Sequence, residues 1–405
     1  MASVSKVFIW VIIFCIVANR NIFGDFGFLS FYAICVFLLV MDGLYKPLLK
    51  NIAWLVVPIC WALFIGLVRH SLYDVFKDVY YFLSPVFVVL FGGIVAKRLS
   101  NEELKKVFVW VGIISSVVFI ASSLWKMGMT SFFDPRTSRD EGSMYVNSSI
   151  FLSLTVLIYD IVLKENRSKI MVICLLINLL AIWMSGSRTY WVAALVVALV
   201  IGYPWVKRHT IKTILLALCF ALFGLYTVDV GHNNRTTVTL MKSVDEMEVR
   251  KYDSEEQRNN FYRGYEAWRA MQQYKSYDML MQFTGAGLGE KVDIVDSPIG
   301  IRYVPILHNG YPYILVKTGF AGMCSYLIWA FLSMFLVRKN WNFESESNNM
   351  MGLCAVCGIL VALITHSSVN TFFNSSYNIL LMLVGVYIYN LQYEEVQSGY
   401  NHSQL

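Results

Sequence analysis

The sequence predicts an all-α, polytopic membrane protein with about twelve transmembrane helices and one large polar loop between the ninth and tenth. Three observations lead there. The 405 residues are 57% hydrophobic and only 15% charged, with a positive mean hydropathy, whereas soluble domains carry roughly 25% charged residues. Apolar runs such as "IAWLVVPICWALFIGLV" (52–68) and "YWVAALVVALVIGYPWV" (190–206) approach the roughly 20 residues that cross a bilayer. In lipid, a run of that kind satisfies its own backbone only as a helix. Finally, residues 229–310 are long, polar and charged, unlike any other stretch of the chain.

The expected spans lie near 7–23, 27–42, 52–68, 79–96, 107–125, 146–163, 170–185, 190–206, 212–228, 311–337, 350–367 and 376–392. The first run holds Cys15, Asn19 and Arg20 but no small-residue cleavage site, so it reads as a retained helix and not a signal peptide. The connections alternate in charge. One set, from "DGLYKPLLKN" to "RKNWNFESESNN", carries fifteen Lys and Arg when Lys6 is included, while the short loops of the other set carry seven. Basic residues in short loops concentrate on the cytoplasmic side. Both termini are then cytoplasmic, and 229–310 is exported; long segments cross regardless of their charge. This divides the chain into helices one to nine (1–228), the large outer loop (229–310), helices ten to twelve (311–392) and a tail (393–405).

Within the loop, "VDEMEVRKYDSEEQRNNFYRGYEAWRAMQQY" has no breaker apart from Gly264 and reads as one amphipathic helix, followed by a turn-rich "FTGAGLGEK". On a continuous helix Arg258 and Arg269, eleven apart, share a face. The Glu255–Arg258 and Glu266–Arg269 spacings suit surface ion pairs. "GAGLG" makes a poor phosphate loop, having no strand before it and no lysine in place after it. A second outer loop spans 126–145. The eight cysteines all lie in apolar runs, so Cys354 and Cys357 read as small buried hydrophobes. No spacing of His, Cys, Asp and Glu matches a metal site, and neither metal, cofactor nor nucleic acid is expected. Ionisable residues avoid the span centres, with Asp160 the nearest exception.

Two helix starts carry the residues of interest. His308 directly precedes the tenth span, with Asn309 as its cap and Pro312 in the first turn. There it is either an interfacial capping residue or a base able to work near pH 7 beside an anion-binding helix terminus. Arg188 opens the eighth span after Ser187, where an arginine snorkels, pairs with an acid, or binds an anion. Both starts face the outer side, joined by a loop bearing Arg258, Arg263 and Arg269. Such a set suits a diphosphate held at the membrane surface, since arginine forks grip phosphate oxygens in pairs. It also suits stabilising charge on a leaving diphosphate.

"SGSRTYWVAAL" (185–195), "FYRGYEAWRAMQQY…FTGAGLG" (261–289) and "HNGYPYILVKTGFAGM" (308–323) together resemble the O-antigen ligase and O-antigen polymerase superfamily of bacterial inner-membrane glycosyltransferases. The resemblance covers roughly 185–335. It implies a multi-pass inner-membrane enzyme whose active site faces the periplasm and which needs no metal. Its donor would be an undecaprenyl-diphosphate-linked glycan. Its acceptor would be a sugar hydroxyl of lipid A-core in a ligase, or a lipid-linked repeat unit in a polymerase. Arg188 would bind the diphosphate, and Arg263 would secure the donor, with Arg258 and Arg269 as alternatives and Asn309 beside them. His308 would activate the acceptor hydroxyl or hold the diphosphate. The His-Asn signature tips the reading toward the ligase. A transporter of lipid-linked oligosaccharide predicts related halves of the chain, and the large loop has no counterpart in the first half. A phosphatase would put water in place of the sugar acceptor.

Overall fold

The computed structural model describes residues 30–41, 46–129, 149–164, 168–185, 187–208, 248–295, 300–340, 346–373 and 378–391. The spans expected at 7–23 and 212–228, the outer loop beyond residue 129, residues 229–247 and the tail lie outside them. Among the described residues, five helices are long and apolar enough to cross a membrane. They are α2 (Lys46–Arg69), the joined pair α3 (Leu72–Phe82) and α4 (Ser84–Arg98), α5 (Asn101–Met127), α12 (Gly310–Lys339) and α13 (Glu346–Val369). Shorter apolar helices coincide with five further expected spans. These are α1 (Ser30–Met41), α6 (Ser149–Ile158, prolonged by a π-turn to Leu163), α7 (Lys169–Ser185), α8 (Arg188–Arg208) and α14 (Asn378–Leu391).

The α3–α4 joint has a local cause. Pro85 stands at the start of α4 and has no amide to donate, so the helix cannot run through unbroken. α3 begins seven residues before the expected span, where the Ser71 side chain caps it by accepting the Asp74 amide, and it has Val75, Asp78 and Phe82 buried and Leu72, Tyr73 and Phe76 exposed.

Polar side chains hold the bundle together. Asn178 of α7 accepts from the Ser116 hydroxyl of α5 and donates to Ser153 of α6, both at 2.7 Å. Ser149 donates to Ser115 at 3.1 Å. Small residues let these backbones approach closely, and a Cβ added at Gly112 would collide with Ser153. On the other flank, Asn51 of α2 bonds Ser333 and Trp329 of α12 at 3.0 and 2.8 Å.

The same contacts give the helices their directions. Lys105, near the start of α5, pairs with Asp160 at the end of α6 at 3.5 Å, and Cys354 early in α13 faces Thr155 and Asp160. The start of α6 meets the start of α8 through Phe151 and Tyr190, ring centroids 5.0 Å apart. The start of α8 and the end of α13 therefore lie at one end of the bundle, with Lys105 and Asp160 at the other. Both charged residues are buried.

The large loop is not one helix. Residues 248–254 are irregular, Ser254 caps the short α9 (Glu255–Asn260), and α10 (Tyr262–Ser276) begins beyond a break at Phe261 (φ −121°, ψ 36°). Asp278 then caps α11 (Met279–Thr284). An antiparallel pair, β1 (Val292–Asp293) and β2 (Tyr303–Val304), leads to His308. The break separates Arg258 from Arg269, so the expected shared face does not form.

Candidate active site

His308 lies in a bend just before α12. Asn309 is the helix cap, as expected, its Oδ1 accepting the Tyr311 amide at 3.2 Å. The partner of His308 is Glu266 of α10. That helix buries Gly264, Tyr265, Glu266, Ala267 and Ala270, and Glu266 is 0% exposed. Its Oε2 accepts the His308 backbone amide at 2.7 Å and lies 3.2 Å from Nδ1; Oε1 lies 3.4 Å from Nδ1. The His308 side chain is 48% exposed, with Tyr262 edge-on to its ring at 6.0 Å. The surface ion pair expected between Glu266 and Arg269 is replaced: the acid turns inward to His308, and Arg269 turns to the hairpin.

The three loop arginines separate. Arg263, one turn before Glu266, donates to the Ser368 carbonyl at the end of α13 at 3.2 Å. The chain just beyond, at Asn370, returns to the site by donating to the Leu307 carbonyl at 3.0 Å. Arg263, Glu266, His308 and Asn309 thus gather where α10, α12 and α13 meet. Arg258 donates to the carbonyls of Tyr252 and Asp253 at 3.4 and 3.1 Å, in place of the expected Glu255 pairing. Arg269 donates to the Asp293 carbonyl at 3.1 Å. Arg302 forks onto the Asp293 carboxylate at 2.8 and 3.0 Å and holds it below the usual carboxylate range. Arg188 begins α8 at the same end of the bundle; its side chain lies outside what the structure describes.

"GAGLG" is a structural wedge. The amides of Ala286 and Gly287 reach the Val316 and Lys317 carbonyls at 2.9 and 3.1 Å, and that of Leu288 reaches Ala62 of α2 at 2.9 Å. The amides that would cradle a phosphate are spent on protein carbonyls. The acceptors in α12 are free because that helix breaks at Gly319 (φ 70°, ψ −172°). A side chain is strained at that angle, and a Cβ there would also strike the Phe283 carbonyl.

A buried ion pair fixes the wedge, seven residues into α12 and clear of its centre. Lys317, 1% exposed, pairs with Asp78 of α3 and donates to the Glu290 carbonyl at 2.5 Å. Asp78 also accepts from the Tyr313 hydroxyl at 3.1 Å and the Gly289 amide at 2.5 Å. A lysine seven residues into an apolar run was visible in the sequence. Glu266 left no comparable sign, because its partner is 42 residues away.

Compared with known families, residues 173–327 match the model described as O-antigen ligase. The match takes in Arg188, the large loop, His308 and the Gly319 break. No curated protein matches the chain.

Proposed function

We propose, on the match of residues 173–327 to the O-antigen ligase family model, that the chain is a membrane glycosyltransferase of the O-antigen ligase and polymerase superfamily drawing on a lipid-linked donor. The donor we propose is an undecaprenyl-diphosphate-linked glycan, and the acceptor a sugar hydroxyl of lipid A-core. The observation that carries this reading is the meeting of α10, α12 and α13. It brings a half-exposed histidine, the guanidinium of Arg263 and a capped helix start together, at the end of the bundle where α8 begins at Arg188.

Each part then has work in the transfer. The helix start and the arginines offer N–H groups and positive charge to a diphosphate. That lowers the barrier as negative charge builds on the leaving group. His308 stands at the mouth of the site, where an acceptor hydroxyl can reach it. Arg188 and Arg263 are the proposed donor ligands. Arg258 and Arg269 bond loop carbonyls away from His308 and serve the loop's shape more than the donor, whereas Arg263 stands one turn from Glu266. The site is proposed to face the periplasm of a bacterial inner membrane, since the opposite end carries the lysine-rich connections.

The polymerase reading uses the same leaving group and differs only in the acceptor. The deciding experiment reconstitutes the full chain in lipid with an undecaprenyl-diphosphate-linked glycan, offering lipid A-core or a second lipid-linked repeat unit. Transfer to core supports the ligase and chain extension the polymerase. Release of free glycan alone, with both acceptors present, would favour hydrolysis and defeat the proposal. H308A is expected to lower transfer about 10²–10⁴-fold, the usual worth of a positioned acid–base group, at an unchanged amount of protein in the membrane.

A further inference from the structure

We propose that Glu266 is a positioning residue for His308: it fixes the imidazole in the tautomer protonated on Nδ1 and so turns the Nε2 lone pair outward as proton acceptor. The inference rests on the glycosyl-transfer reading above and selects between the two roles left open for His308, base and diphosphate ligand.

The geometry supports it directly. A fully buried carboxylate must find donors. Glu266 finds two on one residue, the backbone N–H of His308 at 2.7 Å and Nδ1 at 3.2 Å. An ionised carboxylate only accepts, so the nitrogen facing it carries the proton. In the neutral ring Nε2 then has a lone pair and no hydrogen. Such a nitrogen repels a phosphate oxygen and attracts a hydroxyl proton. Among the described residues, the other polar and titratable groups around the pair include Tyr262, edge-on to the ring, Arg263, engaged at the Ser368 carbonyl, and Asn309, engaged at the Tyr311 amide. His366 lies beneath Gly310, where its ring leaves no room for a Cβ, with Tyr311 edge-on to it at 4.9 Å. None of these supplies a second carboxylate to the ring, so the tautomer follows from Glu266.

In the step this implies, Nε2 takes the proton of the acceptor hydroxyl. The oxygen's electron pair forms the bond to the anomeric carbon. The bond from that carbon to the diphosphate oxygen breaks, its electron pair leaving with the lipid diphosphate. His308 is then an imidazolium facing the Glu266 carboxylate, and Nε2 gives its proton to the diphosphate or to solvent.

The test is a double-mutant cycle on the reconstituted full chain, with H308A, E266Q and their combination, measuring kcat and donor KM separately. E266Q is expected to lower kcat at least about 10-fold and up to about 10⁴-fold, the upper figure being the loss when the carboxylate that orients a catalytic histidine is amidated. Donor KM should stay within about twofold. The double variant should be no slower than H308A, because the two residues act as a unit. An unchanged kcat in E266Q overturns the proposal, as does a loss fully accounted for by a lower thermal midpoint. A double variant slower than H308A also overturns it, since Glu266 would then act apart from His308. H308Q gives a readout that does not depend on E266Q folding. It keeps an N–H donor but supplies no base, so activity near that of the unmodified chain would overturn the base assignment, and a loss matching H308A supports it. Full activity in H308A itself would remove the site reading beneath the inference.

Discussion

Lys317 shows how a single residue sets the shape of the site. An ammonium group inside an apolar helix is expensive unless it is paired and hydrogen-bonded, and Lys317 has Asp78 on one side and the Glu290 carbonyl on another. The pair binds α3 and α12 to the glycine wedge between them. Removing one partner leaves an uncompensated buried charge, a change that costs about 3–5 kcal/mol. K317M is therefore expected to lower the thermal midpoint of the purified protein sharply. D78N/K317M should recover most of it, because asparagine still presents an acceptor to the Gly289 amide. A single variant as stable as the unmodified chain would show that the pair contributes nothing to the fold. His308 and Glu266 differ from this pair in legibility. His308 stood out in the sequence because it precedes a helix cap, a local pattern. Glu266 looked like one more surface acid three residues from an arginine, and its burial came only from the packing of α10 against the start of α12.

Among the elements, small polar residues do what apolar side chains do in a water-soluble core. Lipid tails are as apolar as leucine, so helices in a membrane gain little from burying apolar surface against one another and depend on close approach and hydrogen bonds. Asn178 joins α5, α6 and α7 through two serine hydroxyls. N178L leaves Ser116 without its acceptor and Ser153 without its donor. It should cost about 0.6–2 kcal/mol, read as a modest fall in thermal midpoint. G112V should cost more, since a side chain there collides with Ser153 and separates the helices. An equal or smaller effect of G112V would contradict close packing of α5 on α6. The large loop makes the converse point. Its polar run read as one amphipathic helix because nothing local forbids it. The break at Phe261 instead lets α10 pack its Gly264–Ala270 face against the bundle, and no periodicity within the run records that choice.

For the whole molecule, the ends of the bundle are chemically distinct. One holds α9 to α11, the hairpin and His308; the other holds Lys105, Asp160 and the lysine-rich connections. The proposed orientation keeps the basic short loops cytoplasmic, and on it a membrane-impermeant maleimide applied from the periplasmic side should label E255C. K106C should be labelled only after the inner membrane is opened. The reverse pattern would invert the orientation and place the site in the cytoplasm. Composition, run length and loop charge were enough to read a multi-pass helical protein, its polar loop and the helix starts at Arg188 and His308. Those features are set by the solvent each segment meets and by neighbours a few residues away. The pairings of Glu266 with His308, of Asp78 with Lys317, and of the glycine wedge with the Gly319 break were decided by the folded bundle. Each joins groups from distant parts of the chain, and a buried charge or backbone amide takes whichever partner packing brings within about 3 Å.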